Sequence, residues 1–177
     1  MLRFVLYHFA PRVSHSQFYL GDDGLDWDPS ECWDDDAIER HLAIMDEAIG
    51  VGVAVHSGTV IVEVEVLMDE PPLELEPWDQ VIDCSLEAPS GRLGVSSPAD
   101  MGDGMRIAVI PGAYRARVSW GGLHQLHEQL AGQDDPYAHR AELLRRGELR
   151  ERYRVVLWLA SRAESVVHKP FEGPMVF

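Results

Sequence analysis

The clearest pattern along the chain is an alternation of period two. In residues 59–67, TVIVEVEVL, Val60, Val62, Val64 and Val66 share one face while Glu63 and Glu65 take the other, which predicts a half-buried β-strand. The apolar run 51–55 precedes it, and His56-Ser57-Gly58 between them reads as a hairpin loop. Residues 78–86 place Trp78, Ile82, Cys84 and Leu86 on one face, and Ala88-Pro89-Ser90-Gly91 reads as a turn into a strand with Leu93 and Val95. A third hairpin is predicted from 106–110 through Pro111-Gly112-Ala113, with Tyr114, Ala116, Val118 and Trp120 inward and Arg115, Arg117 and Ser119 facing water. Residues 153–159, YRVVLWL, are nearly all apolar, as a strand near a sheet centre would be.

Helical spacing interrupts this pattern. Residues 33–50 carry Ile38, Leu42, Met45 and Ile49 at helical intervals, acids at the start and Gly50 at the end, predicting an amphipathic helix. Leu123, Leu126 and Leu130 define a second helix, and Pro136 opens a third. Residues 163–177 read as a loop with a short edge strand. Succession of hairpins makes the expected fold mainly β: an antiparallel β-sandwich or open barrel with two or three peripheral helices. The Pro/Gly-rich stretches at Pro71-Pro72 and 98–104 are loop-sized, so 1–177 is expected to be a single β-rich domain.

Composition adds charge to this picture. The 177 residues hold 30 Asp and Glu against 15 Lys and Arg, a formal net charge of -15. Such an excess repels phosphates and anionic lipid and draws in basic partners; nucleic acid and membrane are therefore not expected partners, since counterion release needs clustered Lys and Arg. Cys32 and Cys84 form no C-x-x-C, and neither a leader nor a stretch of roughly 20 apolar residues is apparent. A cytoplasmic protein with free thiols is expected.

Candidate chemistry is sparse. Asp22, Asp23, Asp26 and Asp28 crowd around Gly24 and Trp27, but without the register or twelfth-position Glu of a calcium loop. Asp34, Asp35 and Asp36 suit the first turn of a helix. Together with Trp27 and Trp33, these carboxylates form the candidate partner-binding patch, because aromatics beside exposed charges mark binding hot spots. His124 and His127 share a helix face, with His139 as a conceivable third ligand, yet no H-E-x-x-H fixes a metal. No nucleophile elbow or P-loop is present. Neither a catalytic residue nor a cofactor is assigned.

Several segments together resemble the competence protein J family: His15-Ser16-Gln17-Phe18-Tyr19-Leu20, then Trp27, then 34–53, the VIVEVEVL strand, and IPGAYRARVSW at 110–120. The resemblance covers about residues 13–120, and 121–177 finds no counterpart in it. It implies a small β-rich protein whose known member binds and inhibits a DNA-entry nuclease. An acidic inhibitor of a basic protein such as a nuclease is accordingly the expected function. Two alternatives stay open: a structural or regulatory β-sandwich of unknown ligand, and a metal-dependent enzyme built on clustered His and carboxylates.

Overall fold

A computed structural model describes residues 5–23, 32–98 and 105–175. In chain order its strands are β1 (Val5–Phe9), β2 (Arg12–Val13), β3 (Gln17–Asp22), β4 (Leu42–Ile44), β5 (Ala48–Gly52), β6 (Gly58–Thr59), β7 (Val62–Leu67), β8 (Gln80–Ala88), β9 (Arg92–Ser96), β10 (Met105–Ala108), β11 (Gly112–Gly121), β12 (Arg152–Leu159) and β13 (Val166–Lys169). The helices are α1 (Asp35–Glu39), α2 (Leu123–Leu130) and α3 (Pro136–Arg146). Among the described residues, one sheet runs β1-β7-β12-β11-β8-β13 and a second β10-β9-β3-β5-β4, with β2 and β6 paired separately. Neighbours are antiparallel except β7 and β12. The fold is mainly β, and neither sheet closes into a barrel.

One core lies between the sheets. Val62 and Val64 of β7, Ile82, Cys84 and Leu86 of β8, Val118 and Trp120 of β11, and Val155 and Leu157 of β12 meet Phe18, Leu20, Ile49, Val51 and Leu93 of the second sheet. The period-two reading holds for β7 and β11, whose alternate residues enter this cluster, and β12, read from its apolar run as a central strand, lies inside its sheet between β7 and β11. The predicted second and third helices form as α2 and α3; Leu123, Leu126 and Leu130 are buried, and Pro136 opens α3 behind the Asp135 cap. β13 is the predicted edge strand.

The hairpin connections differ from expectation. Runs 51–55 and 59–67 fall in opposite sheets, as do β8 and β9, and β10 and β11. Two of these crossings share one corner, where Val109 N donates to Gly91 O at 2.9 Å and Gly91 takes φ +71° against Pro111. A tight turn marks a reversal, but its residues do not say whether the chain re-enters the same sheet. The helix expected over 33–50 is also overturned: α1 ends at Glu39, and Leu42 and Ile49 belong to the β4–β5 hairpin. All of β5 is buried, so its apolar residues need not alternate, and such a run cannot be told from a helix by spacing.

Arg115, Arg117 and Ser119 point away from the core but do not face water. The segment 68–79 and the chain after β12 cover them: Arg117 Nη1 donates to Pro71 O at 3.0 Å, and Arg115 Nη1 donates to Ala163 O at 2.8 Å. Arg117 also grips both oxygens of Asp83, at 2.8 and 2.9 Å, and lies over Trp158. His168 Nε2 stands 3.0 Å from the same carboxylate, off hydrogen-bond alignment. Burial pushes the Asp83 carboxyl up, but Arg117 and His168 together outweigh it and hold it below the ordinary 3.8. Tyr114 and Trp120 enter the core as expected, whereas Trp158 packs with Leu67 and Val156 on the outer face and Trp78, expected on the face of Ile82 and Cys84, lies beneath Arg152.

A second buried network ties α3 to β12. Arg140 Nε donates to Glu151 Oε2 at 2.8 Å and its Nη2 donates to Thr59 O at 3.0 Å. Tyr153 donates its hydroxyl to Glu151 Oε1 and accepts Ala54 N at 2.9 Å. Burial first, and then the Glu151 charge, push the Tyr153 hydroxyl well above its usual range.

Two outcomes test these networks by chemical denaturation. Glu151→Ala orphans the buried Arg140 and lowers stability by about 3–5 kcal/mol. Asp83→Asn lowers stability at neutral pH by about 1–3 kcal/mol. Because the folded Asp83 pKa is depressed, its contribution is present above the unfolded value of 3.8 and fades as pH falls through the folded value. The gap between wild type and Asp83→Asn therefore closes only in that acid range.

Candidate functional site

The structure divides the candidate acidic patch into a structural half and an exposed half. Asp22 is buried, and its Oδ2 accepts Ser90 N at 2.9 Å, pinning the turn between β8 and β9. Asp23 receives Arg106 Nε on both oxygens, at 2.8 and 2.9 Å, and Arg92 lies 3.7 Å away. These two carboxylates serve the fold. Asp26, Trp27 and Asp28 lie outside the described residues.

Trp33, Asp34, Asp35 and Asp36 come together at α1. Trp33 Nε1 donates to the hydroxyl of buried Tyr19 at 2.9 Å, and the two rings close over Gly50, where an added Cβ would stand 2.8 Å from Tyr19 and 3.0 Å from Trp33. Trp33 is thus a half-buried anchor for the segment entering the helix. Asp34 caps α1, its Oδ1 accepting Ala37 N at 2.8 Å. Asp35, Asp36 and Glu39 are exposed, with no cation within ion-pair distance among the described residues. Their position follows from the early end of the helix: Arg40 N donates to Asp36 O, and His41, at φ +56°, turns the chain into β4.

A cavity lies on each side of α1. One, of about 390 Å³, has Trp33, Ile38, Val53 and Met175 as apolar walls beside His15 and His41. His15, Ser16 and His41 all line it, and they are the non-glycine residues with positive φ among the described residues, at 55°, 58° and 56°. His15 and Ser16 form a two-residue turn closed by the Ser14–Gln17 bridge, a geometry that favours Asn-Gly. Left-handed backbone costs these residues about 1–2 kcal/mol each. Backbone hydrogen bonds from Ser16 N to His56 O and from Val53 N to Ser16 O hold the turn in place. His-Ser carries no primed-turn signal, so this wall was not legible from the residue types.

The second cavity, of about 470 Å³, lies between α1 and the chain after β13. Asp36, Glu39 and Glu172 line it with Arg40 and Phe171. Arg40 is turned inward, its Nε donating to Leu42 O at 2.7 Å, so carboxylates dominate the mouth. A third cleft, of about 330 Å³, lies over the outer face of the larger sheet, with Arg117 and Arg154 on its floor. Both guanidinium groups already face carboxylates, Asp83 and Glu65.

None of these cavities assembles reactive groups. Burial drives the Cys84 thiol up to about 12, far from a thiolate at neutral pH. His127 Nε2 donates to Pro174 O at 2.6 Å, and His124 leans on Phe171. Among the described residues no three His, Cys, Asp or Glu side chains could hold a metal ion. Among the described residues no helix is long and apolar enough to cross a membrane.

The chain matches no family model and no curated protein. Among solved structures it is similar to a protein titled crocagin biosynthetic gene J, at 19% identity and TM-score 0.59, over 90% of this chain and 99% of that one. It is also similar to ComJ from Bacillus subtilis, the inhibitor of the DNA-degrading activity of NucA, at 12% identity and TM-score 0.63, over 90% of this chain and 99% of that one. At such low identity these superpositions show a shared fold alone. They also correct the expected limit of the resemblance: residues 121–177 are nearly a third of the chain, far more than the unmatched tenth, so most of that segment has a counterpart. The protein has the ComJ fold.

Proposed function

We propose that this protein is an acidic cytoplasmic binding protein that inhibits a nuclease, or another basic protein, by occupying its cationic surface. The observation that carries the reading is the likeness to a nuclease inhibitor over nine-tenths of the chain. A net charge of -15 supports it, since an acidic protein is steered into a groove built for nucleic acid. The exposed half of the acidic patch, Asp35 and Asp36 with Trp33 beside them, is where we place the contact. The likeness to a crocagin biosynthetic protein favours a second reading, a β-sandwich that binds a different ligand in a biosynthetic setting.

The two readings separate in a DNA-cleavage assay. Purified protein added in excess to a cationic nuclease, with NucA as the first probe, is expected to suppress cleavage about tenfold or more at low salt, and to lose that effect as salt screens the contact. Unchanged cleavage with no salt-sensitive complex would overturn the inhibitor reading.

A further inference from the structure

The surface around α1 has a division of labour that bulk charge does not require. Ile38 is 59% exposed, the most exposed large apolar side chain among the described residues. It stands at the mouth of the apolar cavity, and Asp35, three residues before it, shares its helix face. Asp36 and Glu39 line the acidic cavity on the opposite flank, where Glu172 joins them. Both volumes, about 390 and 470 Å³, lie within the 300–1,000 Å³ usual for ligand pockets. The helix between them is one short turn, about 10–12 Å across, and three extended residues of a partner span about 10 Å.

Strain is concentrated on the same wall. All the non-glycine left-handed residues in the described chain line the apolar cavity. Residues held in such conformations cluster where a surface is shaped for a ligand.

Resting on the reading of this protein as a binder of basic proteins, we propose that α1 is a two-pocket clamp. The apolar cavity beside Ile38 receives one aromatic or aliphatic anchor of the partner, and the acidic cavity beside Asp36 and Glu39 receives an adjoining Arg or Lys. The carboxylates supply attraction, and the anchor supplies selectivity. A cation alone fills half of the site. This choice of occupant rests on charge complementarity: among the described residues Asp36, Glu39 and Glu172 on the rim have no ion-pair partner, so an acidic or neutral partner would leave them unanswered.

The test uses two amidated tripeptides, Arg-Trp-Arg and Arg-Gly-Arg, titrated into the full-length protein at low salt and followed by backbone amide shifts in NMR. Arg-Trp-Arg is expected to bind about fivefold or more tightly than Arg-Gly-Arg, the order expected of one buried aromatic, with shifts centred on residues 33–41 and reaching Val53 and Phe171. Ile38→Ser, at an exposed position, is expected to remove that preference by bringing Arg-Trp-Arg down to the affinity of Arg-Gly-Arg for the same variant. Asp36→Asn with Glu39→Gln is expected to weaken both peptides. Equal affinities for the two peptides, shifts centred on the outer cleft around Glu65 and Trp78, or no binding of either would overturn the clamp. The nuclease assay separates failures: inhibition that survives any of these outcomes leaves the inhibitor reading standing and places its contact elsewhere.

Discussion

The Tyr153 hydroxyl is the pivot on which the two halves of this molecule are fixed to one another. It sits inside the larger sheet, donates to Glu151 and accepts the Ala54 amide from the chain leaving the smaller sheet. Glu151 in turn holds Arg140 of α3, which reaches Thr59. One buried carboxylate therefore joins a strand, a helix and the connection between the sheets. Buried charge is costly unless every lone pair and proton is answered, and here the guanidinium and the phenol answer both oxygens. Trp120 adds a second tie, its Nε1 donating to Gly52 O at 2.8 Å. Gly52, so fixed, and Val53, between the two tied residues, are also walls of the apolar cavity.

Net charge turns out to be a poor map of where charge is available. Much of the acidic excess is consumed by the fold: Asp22 holds a turn, Asp34 and Asp79 cap helices, and Asp83 and Glu151 anchor buried arginines. On the exterior, Arg162 faces Asp46 and Glu87, and Glu142 faces Arg145 and Arg146. Among the described residues, carboxylates without an ion-pair partner persist on α1 and along the segment after β7, at Asp69, Glu74 and Glu76. Steering of a basic partner depends on these, and on their placement next to apolar surface.

Period two was legible wherever a strand has one face in the core and one outside, as in β7 and β11. It was lost where burial is two-sided. Ala48–Gly52 is buried throughout, and the helical intervals among Ile38, Leu42, Met45 and Ile49 are a coincidence of that burial with a short helix next door. Sheet membership was not legible at all, since Gly91 and Gly112 turn corners between sheets with the same residues that close hairpins. For the site, Trp33 and the three aspartates of α1 were visible as chemistry. The cavity walls were not, because Val53, His15 and Met175 come from distant segments and become neighbours only through the packing of β3, β5 and the chain end.

The end of α1 shows how the core sets the shape of the exposed surface. His41 occupies the left-handed position after the helix, where glycine is the usual residue, and the conformation survives because β8 grips it. Gln80, nearly fully buried, donates its Nε2 to Arg40 O at 2.6 Å. That orientation leaves its Oε1 as the acceptor for His41 Nδ1 at 3.1 Å, which places the imidazole proton on Nδ1. A single amide from the larger sheet thus fixes the two consecutive residues that lead from α1 into the smaller one and stops the helix after Glu39. Were α1 one turn longer, Leu42 would leave the core it fills with Ile49 and Val51, and the two cavities would no longer flank the same residues. The brevity of α1 is therefore imposed from inside, and the arrangement of Ile38 against Asp36 and Glu39 follows from it.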